Sequence, residues 1–268
     1  MRSITVLLIM MLLSGLTARA AEPIRILRVG DSITRMTAMD GTLGRLLAEA
    51  GLTVDFVGAQ KPSADEAGAD TDCEGYNGRP IEFFTKHQAT YGDEPYSDNC
   101  PMADAIPLQK AIETYRPDLV LVMVGVNNLA GPNPGIPTAA LTTKLENFLD
   151  RLEEWKPAGT SIVLSTVPPA NEAKDPGNPN RNLRHQLYST NVVRPVFERR
   201  LAAGKPYTLA DPNAVLAPED IKDGVHPSRA GKKKLNAVWA EAVLRALDVH
   251  PAPPAPVAPT PAESPVNR

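Results

Sequence analysis

The stretch that most constrains the fold is 119–125, Leu-Val-Leu-Val-Met-Val-Gly. An unbroken apolar run of this length, set between Pro117-Asp118 and Gly125, reads as a strand buried on both faces, hence central and parallel. Parallel neighbours need crossover connections, so helices must lie between the strands. The rest of the sequence supplies both. Residues 24–30 predict a strand that breaks into a turn at Asp31 and Ser32. Leu43, Leu46, Leu47 and Ala50 fall at helical spacing over 41–50, Gly51 stops that helix, and 52–58 is a second strand. Residues 59–100 are polar and rich in Gly, Asp and Asn, with a weak helical patch at 81–87. A loop of that length is usually functional. A helix over 103–115 leads into the central strand, which ends in the turn Gly125-Val126-Asn127-Asn128. A Pro/Gly loop (131–137), a helix (138–155), a strand (161–167), a polar loop (170–181), a helix (183–203), a strand (207–211) and a helix (228–247) follow. Strand and helix alternate five times. That pattern predicts an α/β domain over 21–249, a three-layer α/β/α sandwich on a five-stranded parallel sheet.

Both ends differ from this domain. Arg2, the apolar run 4–13 and Ala18-Arg19-Ala20 before Ala21 have the order of a secretory signal peptide, 1–20, and the apolar run is too short to span a bilayer. No Cys near the junction could take a lipid, so the expectation is a secreted or periplasmic product without a stable membrane anchor. Residues 250–268 hold 7 of the 27 prolines and read as an extended Pro-rich tail. In an oxidising compartment the two cysteines, Cys73 and Cys100, are expected to pair, which would stabilise by roughly 3–4 kcal/mol through loop closure. A formal net charge of −3 gives no reason to expect a nucleic-acid partner or a basic membrane-binding face. The oligomeric state is left open.

Polar residues stand at three strand ends: Ser32, Asn127, and the pair Asp223 and His226. Taken alone, Gly-Asp-Ser is a β-turn sequence and a His before Pro marks the start of a helix. Together they fit a nucleophile with a base and its orienter, because a three-residue spacing lets the Asp223 carboxylate meet Nδ1 of His226 while Nε2 points outward. His87 and His185 have no carboxylate at such spacing, and His250 opens the tail. No His/Asp cluster with ligand spacing is present for zinc, so no metal or other cofactor is expected. Asp65, Glu66, Asp70, Asp72 and Glu74 read as a solvated acidic loop, with calcium binding the competing role.

These residues match a known pattern. Gly30-Asp31-Ser32-Ile33-Thr34, the Gly of 74–78, 125–128 and 223–228 resemble, in the right order, the four sequence blocks of the SGNH or GDSL-type hydrolases. Residues 50–60 and 223–247 further resemble the acetylxylan-esterase-like carbohydrate esterase family three. The resemblance implies a flavodoxin-like sheet, Ser32 as nucleophile, His226 as base and Asp223 as its orienter. It also implies an oxyanion hole made of the Ser32 N–H, the Gly78 N–H and the Asn127 amide, with Asp31 and Asn128 in support. Gly78 is preferred to Gly75 because it aligns with the second Gly of an "EGHxGW" pattern. Arg79 and Pro80 replace the Trp and small polar residue of that pattern. Asn128 stands where Asp is usual, and Arg35-Met36 follow the nucleophile where "TEG" is usual.

The leading expectation is therefore a secreted serine esterase acting on acetyl or other short acyl esters of carbohydrate or small alcohols. A lipase, lysophospholipase or thioesterase with a longer acyl pocket is one alternative. A non-catalytic glycan-binding module of the same fold is another.

Overall fold

The computed structural model describes residues 22–65, 67–85, 107–130 and 138–248. The expected signal peptide, the Pro-rich tail, Glu66, His87 and Cys100 lie outside the described residues. Strand β1 (Ile24–Gly30) is followed by helices α1 (Ser32–Met39) and α2 (Thr42–Glu49), then strands β2 (Val54–Val57) and β3 (Glu74–Gly75). Helix α3 (Leu108–Tyr115) leads to β4 (Leu119–Met123), α4 (Thr138–Trp155) to β5 (Ser161–Ser165), and α5 (Arg181–Tyr188) with α6 (Arg194–Ala202) to β6 (Tyr207–Ala210). Helix α7 (Arg229–Ala246) closes the fold.

All pairings are parallel, in the order β2-β1-β4-β5-β6, with β3 as a sixth strand beside the end of β1. The central run behaves as its composition demands, since Leu119 through Met123 are all fully buried between the helical layers. The five long strands have the flavodoxin order, whose reversal falls between β1 and β4. Ligands in open α/β sheets bind at the carboxyl ends of the strands flanking such a reversal. Ser32 follows β1 and Asn127 follows β4, so both stand at that crevice.

Three features depart from the sequence expectation. Residues after Ser32 form α1 rather than a turn alone, because Asp31 caps it, its Oδ1 accepting from the Ile33 N–H at 3.0 Å. The polar segment contributes β3, whose two residues pair with Val29 and Gly30. The helix expected over 183–203 contains a π turn, Ser189–Val193, immediately ahead of Pro195. Proline lacks the N–H for an i−4 bond and its ring collides with that carbonyl, and the widened turn relieves both.

Arg28 is the buried exception in β1, 1% exposed between Leu27 and Val29. Its guanidinium donates to the Asp72 carbonyl at 2.7 and 3.2 Å and to the Asp70 carbonyl at 3.2 Å, and lies over the Phe56 ring at 3.9 Å. Burial lowers its pKa, with Cys73, Asp70 and Asp72 acting against the shift. Loop 70–72 is thereby tied to the central strand just ahead of β3. The acidic residues of that loop are engaged too: Asp70 accepts from the Phe56 N–H, Asp72 and Asp65 pair with Lys61 and Lys232, and Glu74 accepts from the Ala59 N–H and the Tyr76 hydroxyl. Cys73 is buried and bonded to no other cysteine among the described residues, and burial raises its thiol to about 11. Among the described residues no helix is long and apolar enough to cross a membrane.

Candidate active site

The β1 strand must pass directly into α1, and Gly30 permits it: a Cβ there would lie 2.1 Å from Thr34 Oγ1 and 2.3 Å from the Met123 carbonyl. Ser32 occupies the first position of α1, where the backbone N–H has no acceptor in its own helix. Asp31 is fully buried, and burial outweighs its backbone hydrogen bonds to push its carboxyl up to about 7. Its second oxygen has no hydrogen-bond partner among the described residues.

From the other end of the chain, 220–228 folds into a tight turn. Ile221 bridges Pro227, the Lys222 N–H donates to the His226 carbonyl at 2.8 Å, and the Ser228 N–H donates to the Asp220 carbonyl at 2.7 Å. Ser228 then caps α7, its Oγ accepting from the Gly231 N–H. Gly224 takes φ +110° against Asp175, whose Cβ would sit 2.7 Å from an added Cβ. This turn sets His226 Nε2 2.9 Å from Ser32 Oγ. His226 Nδ1 is 3.1 Å from both carboxylate oxygens of Asp223, and the His226 N–H also donates to Oδ1 at 3.0 Å. Burial raises the Asp223 carboxyl, but the backbone and ring bonds from His226 outweigh it, and the net shift is downward. Asp223 is therefore ionised wherever His226 needs a partner. The ring is held in the tautomer that offers Nε2 to the Ser32 hydroxyl.

Ser32, Asp223 and His226 open into a cleft of about 720 Å³ that also touches Gly78 and Asn127. Gly78 adopts φ +71°, and its N–H has no acceptor among the described residues. One N–H of the Asn127 amide donates to the Arg79 carbonyl at 3.1 Å, which leaves the second for the cleft. Asn128 is used differently. Its Oδ1 accepts from the Ile81 N–H at 3.0 Å and its Nδ2 donates to Glu82 Oε2 at 2.8 Å, so it clamps the loop after Gly78 and does not line the cleft. Arg79, where the resemblance implies a Trp platform, is buried with its guanidinium 5.1 Å from the Phe83 ring centroid and does not line the cleft.

The sequence reading missed Asn171. It lies after β5, its Nδ2 donates to the Pro218 and Ile221 carbonyls, and its N–H donates to the Gly224 carbonyl, so it holds the turn that carries Asp223 and His226. A polar residue soon after a strand end was the only available signal. His185, set aside in the sequence, is buried, makes a 2.8 Å contact from Nδ1 to the Pro168 carbonyl, and is lowered by burial to about 4. A second cavity of about 490 Å³, near α2 and β2, has Thr53 and Asp70 in its lining but no Ser, Cys or His among the described residues.

The sequence model of the GDSL-like lipase/acylhydrolase family matches residues 29–234, which span β1 through the first turns of α7. The chain belongs to this family. A multidomain esterase from Ruminococcus flavefaciens is 28% identical over 248 residues, covering 85% of this chain and 30% of the relative. This GDSL-like chain thus spans under a third of that protein's length. Among solved structures, a carbohydrate esterase family 3 protein from Talaromyces cellulolyticus is similar with a TM-score of 0.62 at 18% identity, over 85% of this chain and 100% of that one. A mutant acetyl esterase with acetate ion gives 0.61 at 17% identity over the same shares. An acetyl xylan esterase gives 0.52 at 18% identity, over 82% and 100%. At these identities the likeness is one of fold.

Proposed function

We propose that this chain is a secreted serine esterase that removes acetyl or other short acyl groups from carbohydrate through an acyl-enzyme. The observation that carries the reading is the unbroken array from Ser32 Oγ through His226 to Asp223, opening into a cleft that also holds unspent N–H donors. In the first half-reaction Ser32 Oγ attacks the ester carbonyl and its proton passes to His226 Nε2. The C–O bond to the alcohol breaks, and the departing oxygen takes that proton back. Water then attacks the acyl-Ser32 with His226 again as base, releasing the acid and restoring the serine. Asp223 orients the ring and stabilises the imidazolium. The N–H groups of Ser32 and Gly78 and the free amide N–H of Asn127 receive the oxyanion of each tetrahedral intermediate.

A short acyl group would find the apolar side chains Met36, Met39, Pro62, Val126 and Val225 in the cleft, set among polar and charged neighbours. Carbohydrate as the alcohol is in keeping with the resemblance in 50–60 and 223–247 and with the similar carbohydrate esterase and acetyl xylan esterase folds. Export follows from the signal-like 1–20, and a mature chain beginning at Ala21 in exported material would test it. The Cys73–Cys100 bridge belongs to the same reading, as an oxidised form that mass spectrometry of that material would detect.

The deciding experiment measures acetate released from acetylated xylan and octanoate released from a model ester, by wild type and Ser32→Ala. Acetate release dominates and falls by several orders of magnitude in the variant, and a covalent serine reagent labels Ser32. Retention of more than about a tenth of turnover by Ser32→Ala would assign the chemistry to another group. Dominant octanoate release would move the reading to a lipase.

A further inference from the structure

The charges around the cleft are not those of the chain as a whole. The sequence carries 31 acidic against 28 basic residues, yet among the described residues Arg35, Arg181 and Lys222 line the cleft and Asp223 is the only acid. An adjoining depression of about 400 Å³ shares Met36 and Lys222 with the cleft and adds Arg229 and Lys232, with Asp40 and Asp65. The two form one groove leading away from Ser32.

Which of these charges are available is settled by their partners. Arg181 pairs with Asp175, and Lys232 with Asp65. Asp223 is committed to His226, and Asp40 is buried and accepts from Asn236. Arg35, Lys222 and Arg229 have no carboxylate partner among the described residues. Arg35 is moreover held in place by a neutral group, the Gln60 Oε1 at 3.1 Å, which orients the guanidinium without cancelling its charge. Three uncompensated cations therefore face one groove, where low-dielectric walls concentrate their field. Among the described residues, no Phe, Tyr or Trp lines either part of the groove.

We infer that the groove selects an acylated carbohydrate that is itself anionic, its uronate carboxylates meeting Arg35, Lys222 and Arg229 while a neighbouring ester sits over Ser32. This rests on the esterase reading and specifies its substrate class. A planar carboxylate suits the forked donors of Arg35 and Arg229, and Lys222 adds a point charge directly beside the Asp223 turn.

The test compares kcat/KM on acetylated homogalacturonan bearing free carboxylates with that on the same polymer after methyl esterification, at low salt. Hydrolysis of 4-nitrophenyl acetate is followed in parallel. Each exposed ion pair is worth about threefold in affinity, so two of the three together give a preference of roughly tenfold for the free acid. It appears in KM and shrinks toward unity at 1 M NaCl, where the Debye length is about 3 Å. Lys222→Gln with Arg229→Gln, both at exposed positions, reduces the preference to about threefold, and adding Arg35→Gln removes it. Equal kcat/KM on the two polymers, in a protein that hydrolyses 4-nitrophenyl acetate, overturns the anionic-substrate inference alone. A preference that survives in the triple variant overturns the assignment to these cations. Absence of hydrolysis of every ester overturns the esterase reading and this inference with it.

Discussion

Asn128→Asp restores the residue usual at this position in the resembling sequences, and the structure makes it a costly change. The Asn128 amide donates to Glu82 Oε2 at 2.8 Å while Glu82 is also ion-paired with Lys144. Burial raises the Glu82 carboxyl, but the bonds from Lys144 and Asn128 outweigh it, so Glu82 lies below its ordinary value and is charged at neutral pH. An Asp at 128 would keep the acceptor for the Ile81 N–H and set a second carboxylate against Glu82. Loss of a hydrogen bond to a charged acceptor costs about 1.5–3 kcal/mol. Repulsion of two charges about 4 Å apart adds up to roughly 4 kcal/mol at an effective dielectric near 20, before Lys144 offsets part of it. A net cost of about 2–4 kcal/mol lowers Tm by roughly 5–15 °C in a domain of this size.

The sign of the pH dependence follows from the same pair. The repulsion raises one of the two folded-state pKa values above its unfolded value. The destabilisation is full above that raised pKa and fades as the pH falls through it, as the pair takes up a proton that forms a carboxyl–carboxylate hydrogen bond. Scanning calorimetry of variant and wild type at pH 8 and pH 5 reads this as a Tm difference that is large at the first and small at the second. Glu82→Gln in the Asn128→Asp background should recover most of the loss at pH 8, because an amide then faces the new carboxylate. A Tm difference independent of pH, or no recovery in the double variant, would refute the argument.

The other expectations are simpler. Asn127→Ala removes the side-chain oxyanion donor and lowers kcat about 10²–10³-fold with little change in KM, read from steady-state kinetics on one acetyl ester. Arg28→Leu leaves the Asp70 and Asp72 carbonyls without donors and lowers stability by about 2–4 kcal/mol, measured as a shift of the urea midpoint with unchanged slope. Asp31 and Glu74 both have folded-state pKa values of about 7, raised by burial from values near 4. These two carboxyls bind more protons in the folded state between about pH 4 and 7, and buried His185, lowered to about 4, offsets only part of that, so wild-type Tm falls as pH rises through that range and levels off above it.

The strands and long helices were legible because periodicity is local: 119–125 can be nothing but a buried strand, and α4 and α7 advertise their apolar faces. The nearness of Ser32, His226 and Asp223 was legible because the three sit at two strong turn signals. What was not legible depends on distant partners. Ser32–Met39 has two Thr and no strong helical stripe, and it is helical because Asp31 caps it. The two residues of β3 are far below the length at which a strand announces itself. Arg28 reads as a solvent-facing charge in an alternating strand, yet carbonyls more than forty residues away take it into the interior. Only the resemblance told Asn127 from Asn128 in the sequence; composition and spacing do not, because what separates them is the position of Glu82 and of the Arg79 carbonyl.

Ser32 and His226 are separated by 194 residues, one leaving the first strand and the other guarding the start of the last helix. At about 5–20 residues per second, roughly 10–40 s pass on the ribosome between the two. During that interval the nascent chain holds a serine without a base. It cannot cleave an ester until almost the whole sheet has been laid down and α7 docks behind it. If Ser32 and His226 act as proposed, reactivity is thus a property of a chain synthesised past 226, and a synthesis arrested before that point yields an inert product.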